Sequence, residues 1–295
     1  MKYTAKQKWV TFFKSLWTPT IYLVLQVGIG LFMFFPLLIV TVAKMLADPD
    51  GILPDASGIT GELMGTAAFV DMLMLLTALS GILMTVYMVF YYRKKKGISY
   101  ASLGITDIKP KSAVLGALLG VGTMLTIAFL LNIIYQIFDI GIQDETSSLI
   151  SAASPLWAMV ATVAVAPVVE EFIFRGFMFE RLSKVFSPRM TVLLTAIAFG
   201  VIHMNLIQSS YAFVAGLLFG YYRAKYEDLW GCILFHIFGN FCGSFDFSVL
   251  GEYGYLIAFG VGIVVLIGTL IFMLVDKEKG MFKKTEPQET EAVVE

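Results

Sequence analysis

Long apolar runs separated by short polar connections dominate the chain, and their lengths predict helices of membrane-spanning size. Residues 1–17 follow a different pattern: Lys2, Lys6, Lys8 and Lys14 alternate with Trp9, Phe12, Phe13, Leu16 and Trp17 at helical spacing, which gathers the aromatics on one face. That pattern predicts an amphipathic helix lying at the membrane interface. The apolar run behind it, 21–42, is too long for the core of a cleaved signal and is read as a first span. Further runs at 67–92, 113–138, 155–179, 190–206, 207–222, 229–245 and 255–275 bring the expectation to about eight transmembrane helices. The runs at 207–222 and 229–245 sit at the short limit for crossing about 30 Å of hydrocarbon. Residues 276–295 are polar and end acidic, and a disordered tail is expected there.

Composition agrees with this pattern. The chain is 58% hydrophobic and 15% charged, with a mean hydropathy of +0.81, whereas soluble domains average about 45–50% and 25%. An all-α polytopic membrane protein follows. The formal net charge of −1 and the short basic clusters beside apolar runs give no nucleic-acid surface. The clusters read instead as orientation signals: Arg93 to Lys96, Arg181 with Lys184 and Arg189, and Arg223 with Lys225 all fall on one side of the expected topology, opposite loops carrying Asp48, Asp50, Asp55, Glu62, Asp139, Asp144 and Glu145. By the positive-inside rule both termini are expected in the cytoplasm, with the protein in the cell membrane. Cys232 and Cys242 share one apolar run and form no CxxC pair, so no disulfide framework is expected.

One stretch breaks the apolar character. Glu170, Glu171 and Arg175 lie within six residues of a span, where an ionised side chain costs about 2.5–3.5 kcal/mol on insertion scales and by default marks function. The chain's two histidines, His203 and His236, and Asn240 fall in neighbouring spans. Glu171 and Arg175, four apart, stack on one helix face and can neutralise each other, while Glu170 turns about 100° away. Phe199 with His203, and His236 with Asn240, share the same four-residue spacing. A carboxylate beside a histidine in a low-dielectric site can deprotonate water, and a second histidine with an amide can donate to an oxyanion; this suits hydrolysis of an amide. Zinc is the alternative, with Glu170, His203 and His236 as two imidazoles and one carboxylate. No Gly-x-Ser-x-Gly or His-Glu-x-x-His motif is present.

Glu170-Glu171-x-x-x-Arg175, Phe199-x-x-x-His203 and His236-x-x-x-Asn240, in that order within apolar runs, resemble the three signatures of the CAAX protease and bacteriocin-processing (CPBP, or Abi) family of intramembrane endopeptidases. The resemblance covers residues 155 to 245. It implies that Glu170 is the general base, that His203 helps hold the water, that His236 and Asn240 form an oxyanion hole, and that Glu171, Arg175 and Phe199 support them. It implies a peptide or membrane-protein substrate, and a mechanism that is either glutamate-dependent or metal-dependent. The chain is accordingly divided into 1–150, the interfacial helix and three spans; 151–250, the catalytic core; and 251–295, the last span and tail. The competing reading is a non-catalytic bacteriocin immunity or scaffold protein whose polar cluster binds a ligand or locks the helices. A proton-relaying transporter is a third, disfavoured because no repeated pair of interrupted helices is seen.

Overall fold

The structure is a computed structural model that describes residues 3–47, 67–138, 153–278 and 280–285. The acidic connections expected at 48–66 and 139–152, and residues 286–295, lie outside the described residues. Among the described residues the regular elements are all helical. We number them α1 (Ala5–Ser15), α2 (Trp17–Ala47), α3 (Ala67–Lys96), α4 (Pro110–Phe138), α5 (Pro155–Ser183), α6 (Pro188–Val201), α7 (Leu206–Tyr226), α8 (Leu229–Gly243) and α9 (Gly254–Val275). The amphipathic first helix is present. Thr4 and Gln7 close a capping box at its start, Trp9 and Phe13 are exposed, and Phe12 and Leu16 pack on the core.

The eight expected apolar runs all form helices, α2 to α9. Five stretches, 5–36, 67–96, 110–137, 155–183 and 254–275, are long and apolar enough to cross a membrane. The short elements are not quite those expected. Helix α6 stops at Val201, and with 14 residues it rises about 21 Å, while α8 has 15. Helix α7 runs to 21 residues but ends in Arg223 and Lys225. These three helices carry or support the polar residues and pack against longer neighbours.

Small residues set the close crossings. A Cβ on Gly116 or Gly120 of α4 would collide with the backbone carbonyls of Gly231 or Phe235 of α8, and one on Gly122 would strike Leu266 of α9. Gly216 and Gly220 of α7 face Ala196 and Val192 of α6 in the same way. Asp71, the isolated acid of the early spans, accepts from the backbone N–H and the hydroxyl of Ser154 at 2.8 and 2.6 Å, and so ties the head of α5 to α3.

The basic ends of the helices gather together. Arg181 donates to the Lys14 carbonyl and, at 3.0 Å, to the Tyr92 hydroxyl; Arg223 donates to the carbonyls of Arg175 and Ser102, each at 3.1 Å. At this end the start of the tail is docked, contrary to the disorder expected from its polarity. Lys225 donates to the carbonyls of Asp276 and Glu278 at 3.1 and 2.6 Å, and Met281 and Phe282 pack against Phe179, Val192 and Ala224. The Lys111 ammonium, 2.6 Å from the Asp276 carboxylate, holds that carboxyl below its usual range, with help from the Tyr226 hydroxyl. Two apolar side chains and four partly buried polar contacts were invisible to a composition argument that averages over the whole tail.

Candidate active site

Helix α5 supplies the two acids, and it is not a regular α-helix. It passes from α (Pro155–Ala158) to π (Met159–Val165), back to α (Ala166–Glu171), to π again (Phe172–Met178) and ends α (Phe179–Ser183). Pro167 explains the first switch. It has no N–H, and in α register its ring would crowd the carbonyl four residues back. Widening the helix instead lets the Ala166 N–H reach the Ala161 carbonyl, five residues back. In that register the natural donor for the Thr162 carbonyl is Pro167, which cannot donate. Asn240 of α8 fills the gap, its amide lying 2.8 Å from the Thr162 oxygen. Within a bilayer an unpaired carbonyl costs several kcal/mol, so this contact locks α8 to α5.

Glu171 is fully enclosed. Its Oε1 accepts from Arg175 Nη1 at 3.1 Å and from His236 Nδ1 at 3.0 Å. The expected pairing with Arg175 is therefore present, and the histidine joins it. Burying an arginine calls for compensation beyond one carboxylate. Here its guanidinium lies between the rings of Phe199 and Phe219, 4.4 and 4.6 Å from their centroids, and donates to the Gly216 carbonyl at 3.3 Å. Gly216 leaves room for this, since a Cβ there would stand 3.4 Å from Arg175 Nη2.

The consequence for His236 is chemical. A carboxylate oxygen only accepts, so Nδ1 carries the proton and the ring is fixed with Nε2 facing away from Glu171. Nε2 then lies 3.8 Å from Glu170 Oε2. The imidazole is held between the two acids, bonded to one and facing the other. Their exposure divides them: the Glu171 side chain is 0% accessible and that of Glu170 is 16%. Only Glu170 can meet a substrate or water.

His203 lies just past the end of α6, in a turn closed by Met204 at φ 52°. Its Nδ1 is 2.7 Å from the Phe199 carbonyl. A carbonyl cannot donate, so Nδ1–H is the donor and Nε2 is left as an acceptor. The Phe199 ring stands between the two histidines, 4.9 Å from His203 and 5.7 Å from His236, edge to face with both. The structure thus brings Glu170, Glu171, Arg175, Phe199 and His236 into one cluster. It places His203 beside that cluster through Phe199, and ties Asn240, one turn along from His236, to Thr162. Thr162 and Phe219 were not singled out in the sequence; of the two, only Thr162 left a signal there, the proline five residues on.

The zinc alternative fits poorly. Among the described residues no group of three His, Cys, Asp or Glu side chains comes together closely enough to hold a metal ion. With Nδ1 held by a carboxylate in His236 and by a carbonyl in His203, both rings keep Nε2 free, so it is the spacing of the groups and not their nitrogens that misfits a metal.

Fold and cluster together define a multi-pass helical membrane protein with an acid–histidine site enclosed among α5, α6, α7 and α8. Residues 152–242 match the family model described as type II CAAX prenyl endopeptidase Rce1-like, which lies within the CPBP family that the three signatures resemble. The matched segment contains all seven of the site residues named from the sequence. The chain is also similar to a Bacillus subtilis (strain 168) protein named "Putative membrane peptidase YdiL", 29% identical over 112 residues. That match spans 37% of this chain and 46% of the relative, so the chain covers about half the length of the curated relative it matches. No solved structure matches the chain.

Proposed function

We propose that this protein is an intramembrane endopeptidase, glutamate-dependent, that hydrolyses a peptide bond of a membrane-associated protein or peptide. The observation that carries the reading is the placement of His236 between a buried acid that orients it and an accessible acid that it faces. The Rce1-like match over 152–242 and the similarity to a protein named as a membrane peptidase support it.

In this reading Glu170 takes a proton from water as general base, and His203 Nε2, the free acceptor, helps hold that water. The hydroxide adds to the scissile carbonyl carbon. The charge that develops on the carbonyl oxygen is met by the Nε2–H of a protonated His236, whose positive charge is balanced between the two carboxylates, and by the amide hydrogen of Asn240 not used on Thr162. As the C–N bond breaks, Glu170 returns its proton to the leaving amine. The termini face the cytoplasm in the cell membrane, on the strength of the basic helix ends gathered on one side.

Comparing membrane peptides from cells carrying the wild-type protein with those carrying Glu170→Ala tests the reading. Uncut precursors are expected to accumulate in the variant; identical peptide populations would overturn it. A chelator at a concentration that strips zinc is expected to leave cleavage of a bilayer-embedded, fluorophore-quenched reporter peptide unchanged. Activity lost to the chelator and restored by zinc would overturn the metal-free mechanism.

A further inference from the structure

Helix α2 packs against α3 and the second π segment of α5. Tyr22 lies on α2. Its ring and Val169 of α5, the residue next to Glu170, both close on Gly81 of α3: a Cβ there would stand 3.1 and 3.3 Å from the two Val169 methyls and 3.7 Å from the Tyr22 ring. Three helices therefore converge on a glycine at the level of the catalytic acid. One turn further along α2, the Gln26 amide donates to the Thr77 carbonyl of α3 at 3.4 Å, which fixes the register of the two helices.

The Tyr22 phenol lies within electrostatic reach of the Glu170 carboxylate, and among the described residues its hydroxyl has no hydrogen-bond partner. The hydroxyl is not among the enclosed polar atoms, so it is open to a bound molecule. Gln26 has its partner, and the nearby Tyr92 hydroxyl takes a bond from Arg181. Tyr22 alone of these three offers a donor beside the general base. The accessible acid thus has His236 of α8 at 3.8 Å and the Tyr22 phenol of α2 within electrostatic reach.

We infer that Tyr22 lines the substrate side of this site and donates its phenolic O–H to a backbone carbonyl of the bound peptide, holding the strand against Glu170. The inference rests on the peptidase reading above. The donated bond exists in the ground-state complex as well as in the transition state, so it acts on binding.

Tyr22→Phe keeps the ring and its packing and removes only the hydroxyl. With the quenched reporter peptide its KM is expected to rise about three- to tenfold, the worth of one hydrogen bond, with kcat and the unfolding temperature unchanged. An unchanged KM, or a fall in kcat alone, would overturn the inference. A photo-cross-linking residue gives a second readout that needs no turnover. Placed at 22 in the Glu170→Gln background it is expected to capture the reporter peptide, whereas the same residue at Phe32, 71% exposed on the outer face of α2, captures none; equal labelling from both positions would overturn the assignment. If Glu170→Gln is inactive while Tyr22→Phe behaves as wild type, the Tyr22 inference alone fails. If Glu170→Gln remains fully active, the peptidase reading fails and takes this inference with it.

Discussion

Glu170→Gln is expected to lower kcat for reporter cleavage by at least about 10²–10⁴, the usual worth of a positioned general base, and to leave the unfolding temperature where it was. The two halves of that result have separate causes. The amide has nearly the shape of the carboxylate but cannot take a proton from water, so the chemistry stops. Stability survives because, among the described residues, the Glu170 carboxylate makes no short bond: its ion-pair contact is with His236 Nε2 at 3.8 Å, and the side chain is already partly accessible. Initial-rate assays in detergent or vesicles, paired with a thermal unfolding scan, measure both halves. An immunity factor or scaffold, whose polar cluster only binds or braces, would keep its phenotype with glutamine at this position. Retention of wild-type turnover would therefore remove the enzyme reading and favour that one.

Arg175→Ala is expected to act on stability first, by about 3–5 kcal/mol, the cost of stranding a buried charge by removing its partner. Four partners are lost together: the Glu171 carboxylate, the Gly216 carbonyl and the faces of Phe199 and Phe219. The truncation also opens a void where the guanidinium lay, and Glu171, 0% accessible, is left with His236 alone. Arg175→Lys is expected to recover little, since an ammonium cannot stack flat between two rings while reaching a carboxylate and a carbonyl on different sides. The double variant Glu171→Gln with Arg175→Met is expected to regain most of the stability while remaining inactive, because no unpaired ion is left but His236 has lost the charge that orients it. Denaturant unfolding in micelles gives the stabilities. A loss below about 1 kcal/mol for Arg175→Ala would show that this arginine is not the strut of the site.

How far the sequence disclosed this arrangement depends on the kind of information each residue carries. Helix positions and the polar cluster were legible because burying a charge in an apolar run is costly, so Glu170, Glu171, Arg175, His203 and His236 announce themselves against their surroundings. The Glu171–Arg175 pair followed from a four-residue spacing and is present at 3.1 Å. That Glu171 also bonds His236 was not legible, since it depends on where α8 sits beside α5, and α8 is held by close contacts to α4 at Gly116 and Gly120 and to α7 at Gly231. His203 was expected within a helix. It lies beyond the helix end, since Met204 takes positive φ and Asn205 caps the next helix, a turn that an apolar count reads straight through. Asn240 matched a motif, yet the bond it makes here is to a carbonyl orphaned by Pro167, a tertiary pairing that no local pattern in α8 records. The docked tail at Met281 and Phe282 escaped for a similar reason: two apolar residues among charges weigh little until a groove is there to receive them.

The two π segments of α5 bear on how that helix is to be mutated. Each fits an extra residue into a turn, so the side chains beyond it are rotated by about 100° relative to a uniform α-helix. The flank near Ser154, the central acids and the flank towards Ser183 therefore present three directions that no single helical wheel can represent. This is how an unbroken series from Ile173 to Glu180 is buried, contacting neighbours on every side as the central post of the bundle. A deletion of one residue in 159–165 would leave α5 as apolar as before, yet it would press the Pro167 ring against the carbonyl four residues back and turn Glu170 and Glu171 out of phase with the head of the helix that Asp71 anchors. Length as well as chemistry is under constraint in this segment: the spacing between Ser154 and Glu170 is itself part of the site.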